Sequence, residues 1–220
     1  MIRHHPEDEF LLALAAGRAT PGQALVLSAH LERCVHCRER LHMLQAVGGA
    51  LLEAAEPVPL REDAMLRALQ RADAAAVAPS RSRAEGVAAG KPALPAGVPW
   101  PASMRRSPVS SWRWMGPDMR YARVAVPNEA TGSVFVLRIG EGRSLPVHTH
   151  SGIEFTQVLC GSFDDGRSTF EAGDFDAADP SVHHQPVVKS GETCVCLAYV
   201  GAPLKFDGRI ASLVGGLIGL

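Results

Sequence analysis

The chain has 220 residues, with 22 Lys and Arg against 23 Asp and Glu for a formal net charge of −1, and 46% of it is hydrophobic. That is the composition of an ordinary globular protein with one large or two small domains. It lacks the global basic bias that gathers nucleic acid, and its polar, acidic start carries no apolar signal core.

The first stretch, about 6–75, is rich in Ala, Leu and Glu and predicts four short helices. Pro6 followed by Glu7, Asp8 and Glu9 starts the first, because proline suits a first turn and acids favour its positive end. Phe10, Leu11 and Leu14 form its apolar stripe, and Gly17 ends it. Thr20-Pro21 opens a second helix bearing Leu25, Val26 and Ala29. A third spans about 35–55, with Leu41, Leu44, Val47, Leu51 and Leu52 on one side, until Pro57 and Pro59 break it. The fourth, about 61–75, carries Met65, Leu66 and Leu69.

His30, Cys34 and Cys37 sit where the second helix meets the third, in the pattern HxxxCxxC. One turn separates His30 from Cys34, and another separates Cys34 from Cys37, so all three can converge on one point. Zinc prefers such nitrogen and sulfur donors, and a structural site takes four. The spacing leaves the fourth open among His36 and His42 nearby and His4 and His5 ahead of the first helix. The plain alternative is two buried thiols and a surface histidine. In a chain without an export signal, CxxC after a helical histidine favours metal. Four protein ligands would leave no open position for catalysis.

From 77 to about 111, Pro79, Pro92, Pro95, Pro99, Pro101 and Pro108 alternate with small residues, which predicts a partly extended, partly mobile linker. After Trp112 and Trp114 come short apolar runs at 124–126, 134–137, 155–159 and 194–200, the spacing of an all-β sandwich or barrel. The expected division is a helical domain at 1–78, a linker at 79–110 and a β-domain at 111–220. The apolar end, 210–220, is too short to span a membrane and is broken by Gly215, Gly216 and Gly219, so it predicts a docked terminal element. A cytoplasmic protein follows from these readings.

Within the β-domain, Gly142, His148, His150, Glu154 and Gly161 read GxxxxxHxHxxxExxxxxxG. Histidines two apart on a strand share a face, and same-face polar groups inside a barrel are costly unless something satisfies them. A metal ion would. A further ligand is expected from 173–184, which ends in the adjacent pair His183 and His184. Two or three histidines and a carboxylate suit zinc, iron, manganese or nickel. Cys194 and Cys196 share a strand face, and with α-carbons near ~6.5–7 Å, at the limit of bridging, no disulfide is expected between them. They read as small core side chains, with oxidant sensing beside a metal as the alternative.

The leading His pair, His30-x3-Cys34-x2-Cys37, the four short helices and the Ala46-Val47-Gly48-Gly49 run resemble the zinc-binding anti-sigma domain of the ChrR type, in which that domain precedes a cupin. The glycine, histidine and glutamate set resembles the first cupin motif. Gly173 and His184 keep the second, although Asp179 and Ser181 stand where the family usually has Pro and Gly. The resemblance implies His5 as the fourth zinc ligand and zinc in the cupin as well. It implies a 1:1 complex with an extracytoplasmic-function sigma factor, relieved by singlet oxygen or organic peroxide. Met65, Leu66 and Leu69 are then candidate sigma contacts. Two rivals stand against this reading. One is a metal-dependent cupin dioxygenase or isomerase with an accessory helical domain. The other is a DNA-binding zinc protein, disfavoured because 1–75 holds eight Arg against ten Asp and Glu.

Overall fold

A computed structural model of the chain describes residues 1–77 and 91–206. The expected terminal element at 210–220 and the first half of the expected linker lie outside the described residues.

All four predicted helices form, as α1 (Asp8–Ala15), α2 (Pro21–Leu31), α3 (Val35–Glu53) and α4 (Ala64–Val77). Six strands make the main antiparallel sheet: β1 (Arg113–Gly116), β2 (Met119–Val124), β3 (Ser133–Ile139), β5 (Glu154–Cys160), β8 (Phe175–Ala178) and β11 (Cys194–Val200), in the order β1-β2-β3-β11-β5-β8. Two smaller sheets face it. One is β10-β6-β7, from β6 (Ser162–Asp164), β7 (Thr169–Glu171) and β10 (Val187–Val188). The other is β12-β4-β9, from β4 (His148–His150), β9 (His183–His184) and β12 (Leu204–Phe206). The expected barrel is thus cupin-like in its layers but not closed by one continuous ladder. The strands of the facing sheets, two or three residues each, are too short to carry one. The strand expected at 124–126 instead ends at Val124, before Pro127 and the left-handed Asn128 turn the chain (φ 62°).

The main sheet is buried on both faces. Tyr121, Phe135, Leu137, Val158 and Ala198 point inward to meet Phe163 and Phe170 of the facing sheet. Ala122, Val136, Phe155, Leu197 and Tyr199 point outward and are covered by Val26, Leu27 and Ala29 of α2. The central strand β11 is therefore buried at every position, which explains its uninterrupted apolar run.

Local chemistry fixes α2 against this outer face. Thr20 and Gln23 form a capping box, with Gln23 N–H on Thr20 Oγ1 at 3.3 Å and Thr20 N–H on Gln23 Oε1 at 3.0 Å. A Cβ on Gly22 would lie 2.6 Å from the Tyr199 ring, so only glycine lets the helix start this close to the sheet. Its N–H donates to Glu129 Oε2 at 2.7 Å.

The described half of the expected linker, 91–110, corrects the mobile reading. Met104 and Val109 are buried in the outer core, with Leu94, Val98 and Trp100 packed against it. Glu32 at the end of α2 accepts the N–H groups of Ala102 and Ser103 at 2.7 and 2.6 Å. Proline breaks periodicity in the sequence, yet the apolar side chains between the prolines still find a surface to cover.

The far halves of the helices behave differently. Every side chain from Gln45 to Leu60 and from Met65 to Asp73 is exposed. No helix among the described residues is long and apolar enough to cross a membrane.

Candidate metal centres

The first cluster joins His5, His30, Cys34 and Cys37, whose candidate ligand atoms all lie within 4.8 Å of one another. Cys34 caps α3, and its sulfur accepts Cys37 N–H at 3.4 Å, which sets both thiols at the positive end of the helix. His5 Nδ1 lies 3.3 Å from each sulfur. His30, at the end of α2, is wholly buried, and its Nε2 is a buried nitrogen without a hydrogen-bond partner. Of the alternatives open in the sequence, His36 and His42 are exposed, and His4 is engaged elsewhere, its Nε2 3.2 Å from Ser168 Oγ.

These residues fit a tetrahedral divalent ion. Burial, then the hydrogen bond and charge of Cys34, push the Cys37 thiol up to about 12, so two thiolates here need a cation. Burial holds His30 down to about 4, which keeps its imidazole neutral as a ligand must be. The core beneath is thin: among the described residues Leu11 and Leu31 are buried beside the two cysteines, with Ile2, Leu14, Leu41 and Leu44 half-buried against them.

The position of His5 comes from the amino-terminal strap. Asp174 accepts Arg3 N–H at 2.7 Å and His4 N–H at 3.2 Å, and His4 O accepts Phe175 N–H at 3.1 Å. Residues 3 and 4 thereby run along β8 and deliver His5 to the cysteines. Asp174, which no spacing argument singled out, is the anchor.

The second cluster joins His148, His150, Glu154 and His184 inside the β-layers. His148 and His150 are both buried on β4, Glu154 opens β5 and His184 ends β9, while His183 is exposed. His150 Nε2 is 2.6 Å from Glu154 Oε2, yet neither atom makes a hydrogen bond of acceptable geometry. His184 Nε2 lies 3.2 Å from His148 Nε2. Burial lowers His148. Burial would also lower His150, but the Glu154 carboxylate overrides it and raises that group. Orphaned buried atoms among three imidazoles and one carboxylate fit a divalent ion acting as their common partner.

Outer partners orient these rings. His148 Nδ1–H donates to Pro146 O at 2.8 Å, and His184 Nδ1–H donates to Asp165 Oδ2 at 3.2 Å, which leaves both Nε2 atoms for an ion. Arg167 holds Asp165 in turn, with Nε 2.7 Å from its Oδ2, and reaches Asp176 at 2.8 Å. Burial raises Asp176 to about 6 against the lowering charge of Arg167, with smaller raising contributions from Asp165 and Glu154. Sequence reasoning missed Asp165 and Arg167, whose only trace was an unremarkable turn.

Behind this centre a small cavity runs from Glu154, Asp176 and His184 to Cys194 and Cys196. The two sulfurs lean together to 3.6 Å, and both thiols are free. The hydrogen bond shared with Cys194, then burial, pushes the Cys196 thiol well above its usual range. Met65, Leu66 and Leu69 stand apart from both centres, exposed on α4.

A family model described as the ChrR cupin-like domain matches residues 104–203. The anti-sigma-E factor ChrR of Cereibacter sphaeroides is 37% identical over 213 residues, covering 97% of this chain and 96% of that protein. The crystal structure of Rhodobacter sphaeroides SigE in complex with the anti-sigma ChrR aligns with a TM-score of 0.68 at 32% identity, over 91% of this chain and 100% of that one.

Proposed function

The chain belongs to the ChrR family of anti-sigma factors, and from that premise we propose that it holds an extracytoplasmic-function sigma factor in a 1:1 cytoplasmic complex and releases it under oxidative stress. The observation that carries the reading is the bare apolar surface on its outer helices. Val47, Leu51 and Leu52 of α3 and Met65, Leu66 and Leu69 of α4 are each at least 59% exposed. Among the described residues nothing covers them, and apolar side chains exposed at helical spacing mark a surface built for a partner. The relative's name describes a regulator, not a dioxygenase or isomerase, and this chain is likewise no enzyme.

In this reading the unit 1–78 binds sigma and the stretch 79–110 joins it to the cupin unit 111–220. His5, His30, Cys34 and Cys37 hold zinc, which supplies the cross-link that the thin core beneath them lacks. His148, His150, Glu154 and His184 hold a second divalent ion, zinc by family likeness, and form the sensing centre for singlet oxygen or an organic peroxide. Cys194 and Cys196 are a second target. A hydroperoxide would transfer one oxygen to a thiol of this pair, forming a sulfenic acid and leaving the alcohol. The high thiol range of Cys196 makes this the slower route.

The test is size-exclusion chromatography with light scattering of the full chain, loaded with zinc, mixed with its cognate group IV sigma factor. A 1:1 complex that dissociates on treatment with organic hydroperoxide supports the proposal. Separate elution of the two proteins at micromolar concentration refutes it.

A further inference from the structure

We infer that Gln157, on a strand of the cupin sheet, is a positioning residue for the amino-terminal metal centre, so that one of its ligands is oriented by the other half of the chain. The inference rests on the reading of His5, His30, Cys34 and Cys37 as metal ligands. His30 Nδ1 lies 2.9 Å from Gln157 Oε1, across 127 residues of sequence, and both side chains are wholly buried. The amide orientation is fixed by its other end, because Gln157 Nε2 donates to Val158 O at 3.0 Å. Oε1 is therefore the atom that faces the ring, and it can only accept.

An acceptor at Nδ1 selects one tautomer of a neutral imidazole. The proton sits on Nδ1 and the lone pair sits on Nε2, the buried atom without a hydrogen-bond partner. A second contact fixes the ring plane, which meets Phe175 of β8 edge-on with centroids 5.6 Å apart. Metal-binding histidines generally donate their other nitrogen to an acceptor of this kind, and losing it weakens metal binding by about 10- to 100-fold.

The placement has a consequence for regulation. Glu154 and Gln157 belong to one strand, β5, but to opposite faces of it. Glu154 lines the inner cavity with His184, while Gln157 meets α2. One strand thus forms a shared wall between the two centres. A shift of β5 that follows a change at Glu154 moves the acceptor that holds His30.

The experiment uses the full chain loaded with cobalt(II), because the thiolate-to-cobalt charge-transfer band reports the Cys34–Cys37 centre and not the thiolate-free cupin set. Zinc competition against that band gives relative affinity. Gln157→Leu, which keeps size but loses the acceptor, is expected to weaken binding at least tenfold and to alter the band. Gln157→Glu, which keeps an acceptor oxygen, is expected to stay within threefold of the parent or bind tighter. The inference is overturned if Gln157→Leu binds within twofold of the parent with an unchanged band. It is equally overturned if Gln157→Glu, with unaltered circular dichroism, falls as far as Gln157→Leu. A parent chain with no charge-transfer band would refute the metal reading itself, and the inference with it.

Discussion

Replacing Leu66 and Leu69 together by Ala separates a docking surface from a piece of the protein's own core. Both leucines are 59% exposed, and every side chain from Met65 to Asp73 is exposed. Fully burying a leucine is worth about 1.5–3 kcal/mol, so covering the remaining six-tenths of each is worth about 1–2 kcal/mol. The double variant should therefore lose about 2–4 kcal/mol of complex stability, roughly a thirtyfold to thousandfold rise in Kd. Alanine keeps helix propensity high, so α4 itself should persist. The free chain should keep its stability to within about 0.5 kcal/mol, because the two side chains rest on little of their own protein. Fluorescence anisotropy with labelled cognate sigma factor reads the first number, and urea denaturation reads the second. A Kd within threefold of the parent would refute the docking argument. A loss above about 1 kcal/mol in the free chain would mean that the leucines pack internally after all.

Three further substitutions probe the scaffold and the second centre. Gly161 has φ +71°, and a Cβ there would strike Thr193 O and come 2.8 Å from Cys194 Cα. Gly161→Ala should thus cost about 3 kcal/mol or more in chemical denaturation, combining left-handed backbone strain with a clash against immovable backbone; a loss below 1 kcal/mol would contradict it. Asp165→Asn should lower metal retention at the cupin centre by about tenfold or more while leaving the thiolate–cobalt band unchanged, and equal metal content after dialysis against chelator would argue against that role. Glu129 offers a pH test. Burial would raise its carboxyl, but the N–H groups of Gly22, Gly132 and Thr131 outweigh it and hold the group at about 2. A depressed folded value stabilises the protein above the unfolded pKa and is lost as pH falls towards about 2. The parent should exceed Glu129→Gln by about 1 kcal/mol at pH 7, allowing for solvent at this partly exposed site, and that margin should shrink below about pH 4.5. A margin independent of pH between 7 and 3 would count against the assignment.

Much of the architecture could be read from local pattern alone. Proline and acid at the start of α1, the Thr20-Pro21 opening of α2, and glycine and proline as stops place all four helices close to their observed bounds. The groupings of His30 with Cys34 and Cys37, and of His148 with His150 and Glu154, could be read the same way, because a helical turn and a strand pleat fix which near neighbours meet. Their distant partners, His5 and His184, needed a family likeness or a choice between adjacent histidines.

Local pattern is blind to groups that meet only because two surfaces are pressed together. Gln157 lies 127 residues from His30, and Asp174 lies 170 residues from His4. Asp165 is 19 residues from His184 across a turn. None of these shares a period or a spacing with its partner. The same limit hid the packing of 91–110, where prolines interrupt the pattern but Trp100, Met104 and Val109 still bury against the sheet. Sequence by itself grouped His30 with Cys34 and Cys37, grouped His148 with His150 and Glu154, and placed an apolar stripe on each helix. Only the tertiary structure decided that α2 lies on the cupin sheet and that one strand backs both centres. Burial of a side chain between layers depends on where the whole chain goes, not on the residues beside it.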